Sequence, residues 1–359
     1  MRTATATIDL AALIDNVHHI KGLAQQSKVM AVLKANAYGH GLERIAKALK
    51  NAPVDAFGVA RLDEAQALRA CGVVKPIVLM EGFFSEEELP VLDVNNLQTV
   101  IHNEQQLQSL LNSQLDKPIK VWLKVDTGMH RLGVEPHQFS SFYNALKASP
   151  NVQSDIVIMS HLSCADDTRN GKTEQQIALF TELTDELSEE MSMANSAGIH
   201  SWPNSHLHWI RPGLILYGVN PMLSPKTDAH LKPVMTLQSS LIAKRVVKKG
   251  ESVGYGAAWT AEQDTTIGVI AIGYGDGYPR HAQNGTPVLI NGRRVKLAGR
   301  VSMDMITVDL GQHSRDEIGD IATLWGENLP IEEIAEWATT IPYELLCNIT
   351  RRVNMTISA

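Results

Sequence analysis

KVMAVLKANAYGHGLERIAKALK, residues 28–50, opens as an apolar run of strand length and closes as an amphipathic helix. The run at 28–34 is apolar on both faces, as a strand buried from both sides must be. Gly39–His40–Gly41 then turns the chain into the helical stretch LERIAKALK. The unit recurs downstream. Short apolar runs fall at 56–60, 76–81, 97–101, 119–125, 154–160, 190–195 and 206–211. Most are separated by polar, amphipathic stretches such as LDEAQALRA, NEQQLQSLLNS and KTEQQIALFTELTDELSEE. About eight strand–helix units predict an α/β fold with an N-terminal (β/α)8 barrel rather than an open doubly wound sheet. Ahead of the first unit, Leu13, Val17, Ile20 and Ala24 at helical spacing behind Asp9 predict a capped helix.

Beyond Gly218 the texture changes. PVMTLQSSLIAKRVVKKGESVGYGAAW, TTIGVIAIGYGDGY, TPVLINGRRVKLAG, RVSMDMITVDLG and DIATLWGE are alternating, β-branched runs cut by Gly, Asn-Gly and Asp-Gly turns. Such runs predict a C-terminal, mostly antiparallel β domain, interrupted near its end by one short helix in IEEIAEWATT. The proline-bearing segment 220–233 reads as the linker. The expected domains are therefore 1–231, the barrel, and 232–359, the β domain. GYGDGY has no lysine-serine or lysine-threonine ending and no helix following it, so it reads as a β-turn and not as a phosphate loop.

The 359 residues are 44% hydrophobic and 20% charged, the composition of a globular protein. Thirty-two Lys and Arg against thirty-nine Asp and Glu leave a net charge of −7, which supports neither nucleic acid nor an anionic membrane as partner. Cys71, Cys164 and Cys347 are odd in number and widely spaced, which argues against a disulfide scaffold or a Cys-rich zinc site. The first residues lack a basic segment followed by an apolar run, and nowhere do eighteen apolar residues follow one another. The expectation is a cytoplasmic enzyme.

Barrel active sites lie at the C-terminal ends of the strands. Those ends carry Lys34, Glu81, Lys124, His161, Asn195 with Ser196, and Arg211. A single lysine there could snorkel to the surface; two lysines, a histidine and an arginine on one rim argue for a site. Burial would disfavour the ammonium form of Lys34 and leave a neutral amine for Schiff-base chemistry.

Seven strings in order then resemble one family: AVLKANAYGHG (31–41), VDTGMHRLG (125–133), SHLSCADD (160–167), IRPGLILYG (210–218), VGYGAAW (253–259), GYGDGYPR (273–280) and GRVSMDM (299–305). The sequence resembles the alanine racemases, pyridoxal-phosphate enzymes with a barrel and a C-terminal β domain. The resemblance implies that Lys34 holds pyridoxal 5'-phosphate covalently. It implies that Tyr38, Ser196, Gly213 and Leu214 bind the phosphate. Arg211 would face the pyridine nitrogen, with His161 in support. Because an arginine does not readily release its proton, that nitrogen would stay unprotonated.

Interconversion of mirror images needs a base on each face of the α-carbon. The resemblance implies Lys34 for the D-enantiomer and Tyr255 for the L-enantiomer. It further implies Arg131 on the substrate carboxylate, Lys124 as a carbamylated lysine holding Arg131, and Met303 and Asp304 completing the substrate pocket. Asp166, Tyr274, Arg280 and Arg300 match residues lining the substrate's way in. In the family the tyrosine base and the Met303-type residue come from the other subunit, which implies a homodimer. The product, D-alanine, would feed peptidoglycan. No metal is implied.

Two departures stand out. His208 occupies a place near IRPG where many relatives carry Asp, and Arg351 in NITRRVNM stands where relatives often show a tyrosine at the phosphate. A metal-dependent barrel hydrolase is the main rival, resting on His206-x-His208. A non-catalytic pyridoxal-phosphate carrier would lack the β domain. A racemase acting on serine as well as alanine stays open, because a pocket discriminates one small group by only ~1–3 kcal/mol.

Overall fold

A computed structural model describes residues 3–224 and 229–358, so the middle of the expected linker, residues 225–228, lies outside the described residues. The chain divides into two units, one comprising residues 14–216 and 220–230, the other residues 3–13, 217–219 and 231–358.

In the first unit, β2 to β9 form a closed parallel barrel in sequence order. They are β2 (Lys28–Val32), β3 (Ala56–Val59), β4 (Ile77–Leu79), β5 (Gln98–Ile101), β6 (Val121–Lys124), β7 (Val157–Met159), β8 (Glu190–Ser192) and β9 (Trp209–Ile210). β9 returns to β2 through Lys28↔Trp209 and Val29↔Ile210. Each of the eight apolar runs supplies one strand, because a strand covered by helices outside and by packed side chains inside can carry no polar face. Met30, Ala56, Val78, Val100, Trp122, Val157, Met159 and Trp209 fill the interior. Trp122 and Trp209 meet edge to face at 5.4 Å. Their indole N–H groups donate to Gln98 Oε1 (2.8 Å) and Glu190 Oε2 (2.7 Å), residues at strand starts. That end of the barrel is therefore closed by packing, and truncating Trp122 to Ala would cost roughly 3–5 kcal/mol. The opposite, C-terminal end is left for chemistry.

The connecting helices bury their apolar faces on the barrel. Glu104–Asn112 inserts Leu107 and Leu110, and Asn103 caps it by accepting from the Gln106 amide at 2.8 Å. The first helix, Leu10–Leu23, is capped as expected by the Asp9 carboxylate, which accepts from the Ala12 amide at 2.8 Å.

The second unit is mostly antiparallel. It begins with β1 (Thr5–Ile8) and continues with β10 (Met235–Val247), β11 (Ser252–Val253), β12 (Trp259–Thr260), β13 (Thr265–Ile270), β14 (Pro287–Ile290), β15 (Arg293–Leu297), β16 (Ile306–Gly311), β17 (Ile321–Trp325) and β18 (Asn354–Ile357). β10 pairs first with β1 and β17 and then, from Leu241 onward and with an irregularity between Leu241 and Ala243, with β13. Through β13–β16–β15–β14–β17 the sheet returns to β10 and closes. β11 and β12 form a separate ribbon.

Two features depart from expectation. β1 lies against β10 and runs parallel to β18, so residues 3–13 group with the C-terminal strands and not with the barrel. TATI is too short to show a strand period, and its partners lie hundreds of residues away. A second short helix, Pro342–Cys347, follows the expected one at Ile331–Trp337. GYGDGY forms a single 3-10 turn at Tyr274–Asp276 closed by Gly277, in keeping with a turn and not a phosphate loop.

Candidate active site

The barrel unit brings its strand-end groups to one rim. Lys34 follows β2, Lys124 ends β6, His161 lies just past β7, Ser196 past β8, and Arg211 follows β9. Glu81 follows β4. Its carbonyl accepts from His102 Nε2 (3.0 Å) and Gln106 Nε2 (3.2 Å), beside a cleft lined by Phe84 and Leu132.

Lys34 opens a turn of unusual hand. Ala35, Asn36, Ala37 and Tyr38 all have φ between 51° and 56°, and Gly39 ends the run at 78°. For residues with a Cβ this conformation costs about 1–2 kcal/mol each, so neighbouring groups must hold it in place. The buried His40 does so at the far end, its Nδ1 lying 3.1 Å from the Ala37 carbonyl and 2.8 Å from that of Tyr38. Those two acceptors assign the proton to Nδ1, and burial lowers the His40 pKa to about 4, so the ring is neutral. Asn36 Oδ1 accepts from the Leu42 amide at 2.9 Å, joining the turn to the next helix.

The turn aims Tyr38 at Gly213. A Cβ built on Gly213 would stand 2.5 Å from the Tyr38 hydroxyl, so only glycine leaves room there. Ser196 Oγ accepts from the amides of Gly213 (3.1 Å) and Ile215 (3.4 Å), which fixes the Gly213–Leu214 segment. Tyr38, Ser196, Gly213 and Leu214 are thereby gathered in one place.

Arg211 is nearly inaccessible. Its Nη1 donates to Ser192 Oγ at 2.6 Å, and its Nη2 donates to the Ser160 carbonyl at 2.6 Å and the Met193 carbonyl at 3.2 Å. Nη2 also lies 3.2 Å from His161 Nδ1. Burial, and then the nearby charges of Arg211, Lys124, Arg131 and Lys34, hold the His161 pKa well below its usual value, so the neutral ring accepts from Arg211. Burial lowers the Arg211 pKa to about 10, which still leaves it charged near neutrality. Its Nε is buried and has no hydrogen-bond partner among the described residues. An orphaned, buried N–H of this kind costs free energy unless a ligand accepts from it.

Lys124 is 6% exposed. Burial first, then the charges of Arg211, Arg131 and Lys34, lowers its pKa to about 8. Arg131 is carried by a loop that Asp126 organises: its Oδ1 accepts from the amides of Gly128 (2.8 Å), Met129 (3.0 Å) and His130 (3.1 Å). Val125 and Val134 bridge the loop's base.

The β unit gathers the remaining residues on its own surface. Tyr255 is 70% exposed on the turn Tyr255–Ala257, and the Arg300 guanidinium lies over Gly256 beside it. The Tyr274 amide donates to the Ser302 carbonyl (3.0 Å), and the Gly275 amide to that of Met303 (2.9 Å). Arg352 ties this assembly together, with Nη2 on Asp304 Oδ1 at 2.7 Å and Nε 3.2 Å from the buried Asp276. Asp276 Oδ2 in turn accepts from the Gly273 amide at 2.9 Å. The resemblance points to Arg351, which is exposed; the neighbour makes the contacts. Arg280 is exposed on the same unit, and Asp166 lies in the barrel loop after β7, its carbonyl accepting from the Leu223 amide at 3.0 Å.

His206 and His208 do not form a metal pair. Nε2 of His206 meets the Ile199 carbonyl at 3.0 Å, and Nδ1 of His208 accepts from the Met191 amide at 3.1 Å. Among the described residues no three His, Cys, Asp or Glu side chains converge as metal ligands.

A barrel rim carrying an accessible amine, a buried guanidinium and a glycine cradle, followed by a β unit that presents a tyrosine, defines a lysine-bearing barrel enzyme. The chain belongs to the alanine racemase family: residues 8–221 match "Alanine racemase, N-terminal domain" and residues 234–357 match "Alanine racemase, C-terminal domain". It is 58% identical over 360 residues to the alanine racemase of Vibrio vulnificus (strain CMCP6), covering 100% of each chain. Its identity to the Vibrio cholerae serotype O1 (strain ATCC 39315 / El Tor Inaba N16961) enzyme is 57% over 357 residues, 99% of each. Among solved structures, the biosynthetic alanine racemase of Pseudomonas aeruginosa superposes with a TM-score of 0.97 at 43% identity, covering 100% of both chains. The Bartonella henselae alanine racemase, solved with covalently bound pyridoxal phosphate, superposes with a TM-score of 0.91 at 29% identity, again over 100% of both. No helix among the described residues is long and apolar enough to cross a membrane.

Proposed function

We propose that this chain interconverts L-alanine and D-alanine with pyridoxal 5'-phosphate as cofactor, acting in the cytoplasm as a homodimer and supplying D-alanine for peptidoglycan. The observation that carries the cofactor reading is the buried, partnerless Arg211 Nε. It offers an N–H to an acceptor such as a pyridine nitrogen, and the Tyr38 hydroxyl beside Gly213 offers a donor to a phosphate.

When bound, pyridoxal phosphate supplies an aldehyde for the substrate amine and a conjugated ring that draws electron density from the α-carbon. The chain's own groups do the rest. Tyr38, Ser196, Gly213 and Leu214 hold the phosphate. Arg211, charged at neutrality and backed by His161, would donate its Nε–H as a hydrogen bond to the ring nitrogen while keeping the proton, which would limit how strongly the ring withdraws electrons. Lys34 would hold the cofactor through its side-chain amine, and the free amine would serve as the base on the D face. Tyr255 of the partner subunit serves the L face, where its proton must be released or handed on for activity near neutrality.

Arg131 binds the substrate carboxylate. Lys124, with a pKa of about 8, has a neutral amine accessible near physiological pH, the form that reacts with carbon dioxide to give a carbamate. That carbamate pairs with Arg131 and removes the repulsion an ammonium would exert. Met303 and Asp304 close the pocket from the partner subunit, and Asp166, Tyr274, Arg280 and Arg300 line the way in.

Borohydride reduction of the purified protein followed by peptide mapping tests the cofactor assignment. The label is expected on Lys34, with loss of label and of alanine racemisation in Lys34→Ala. A label elsewhere, or a wild-type chain that leaves L-alanine unconverted, overturns the reading.

A further inference from the structure

The left-handed turn after Lys34 is held by different groups at its two ends. His40 binds the carbonyls of Ala37 and Tyr38. At the other end the Ala35 amide, next to Lys34, donates to Glu64 Oε1 at 2.7 Å. The second oxygen of the same carboxylate, Oε2, accepts from the amides of Ala60 (2.9 Å) and Arg61 (3.3 Å). Glu64 lies in the first turn of the helix Leu62–Ala70, which follows β3. β2 and β3 are adjacent, paired through Met30↔Ala56 and Val32↔Gly58.

One carboxylate thus bridges the loops leaving two neighbouring strands. A helix-capping role needs only the oxygen facing Ala60 and Arg61, since capping satisfies the helix's own first amides. Oε1 is directed away from that cap onto the backbone that carries Lys34. Ala35 must hold a conformation that residues with a side chain avoid, and without an acceptor for its amide the turn loses its anchor on the lysine side.

We propose that Glu64 is a positioning residue for Lys34, fixing the start of the left-handed turn so that the lysine amine is presented to the rim in one direction. This rests on the racemase reading, because the direction of the amine matters through the proton it moves. A small error in the placement of a reacting group lowers turnover more than substrate binding.

The test uses full-length Glu64→Ala and Glu64→Gln. Glutamine retains one acceptor oxygen and so keeps a capped helix or the Ala35 link, not both. Two measurements are made: amide hydrogen exchange of the cofactor-free chain over residues 33–41 and 60–70, and alanine racemisation of the holoenzyme. Faster exchange at 35–39 in Glu64→Ala is expected, with kcat lowered on the order of ten- to a hundredfold and KM little changed. Glu64→Gln falls between the two. Exchange that quickens only within 62–70, or a folded variant with wild-type exchange at 35–39 and wild-type kcat, overturns the proposal. Should Glu64→Ala fail to fold, the same readouts on Glu64→Gln decide it. A wild-type chain inactive on alanine sinks the racemase reading, while hydrogen exchange still decides what Glu64 holds.

Discussion

The Tyr38 hydroxyl stands over Gly213 so closely that a Cβ added to the glycine would lie 2.5 Å from it. Two elements far apart in sequence, the left-handed turn after β2 and the segment after β9, therefore meet with no side chain between them. Gly213→Ala is expected to push Tyr38 aside without unfolding the barrel. Losing the hydrogen bond proposed between Tyr38 and the phosphate should cost about 1–3 kcal/mol, roughly ten- to a hundredfold in cofactor affinity. Equilibrium titration of the cofactor-free variant with pyridoxal phosphate measures it.

Arg211→Lys keeps the charge and loses the fork. Lysine cannot span Ser192 Oγ, the Ser160 carbonyl and His161 together, nor offer the buried Nε–H. The variant should lose at least about 2 kcal/mol in urea unfolding and show a shifted visible absorption band when loaded. An unchanged band would remove Arg211 from the ring nitrogen.

His40 makes the fold sensitive to acid. Its folded pKa is about 4, against 6.5 for the ordinary side chain, with burial as the largest cause. Below about pH 6.5 the unfolded chain takes up a proton that the folded chain refuses until about pH 4, so stability falls as pH falls through that window. The full effect is about 3 kcal/mol. His40→Asn places an amide N–H where Nδ1 stood and should flatten this slope. Urea midpoints at about pH 7 and about pH 5 for both chains check it.

Lys124 acts in the alkaline direction. Unmodified, its pKa is lowered from 10.5 to about 8, so between those values the unfolded chain keeps a proton the folded chain has shed. Stability contributed here rises with pH across that window. Lys124→Met should abolish the rise and raise KM for alanine, since Arg131 loses the group proposed to hold it. Mass spectrometry of the intact wild-type chain under bicarbonate detects the added carboxyl.

Arg352 joins Asp276 and Asp304 across three segments of the β unit. Arg352→Ala leaves the buried Asp276 with its Gly273 amide and frees the Met303–Asp304 loop. Arg352 is itself solvent-exposed, so its ion pairs contribute little to stability and the midpoint should move little. KM for alanine should rise several-fold, and equal kinetics in the two chains would show that the loop keeps its position without the arginine.

The eight barrel strands, the capped first helix and the hairpin turns of the β unit were legible in the sequence because each is written locally. A strand covered on both faces must be a continuous apolar run, and Asn-Gly or Asp-Gly turns announce themselves within a few residues. The strand-end lysines, histidine and arginine were legible for the same reason: a charged residue closing an apolar run stands out. Tertiary structure alone decided the rest. The Thr7 and Thr356 hydroxyls lie 3.1 Å apart across 349 residues, and no local pattern in TATI or NMTI marks that pairing. Nor does KANAY carry the glycines that normally signal positive φ. Its left-handed turn exists because groups outside it act where the backbone needs them: His40 donates to its carbonyls and Glu64 accepts from its first amide. Arg352 rather than Arg351 reaches Asp304 for a similar reason, since the direction of an exposed side chain is settled by which carboxylates the folded neighbours present.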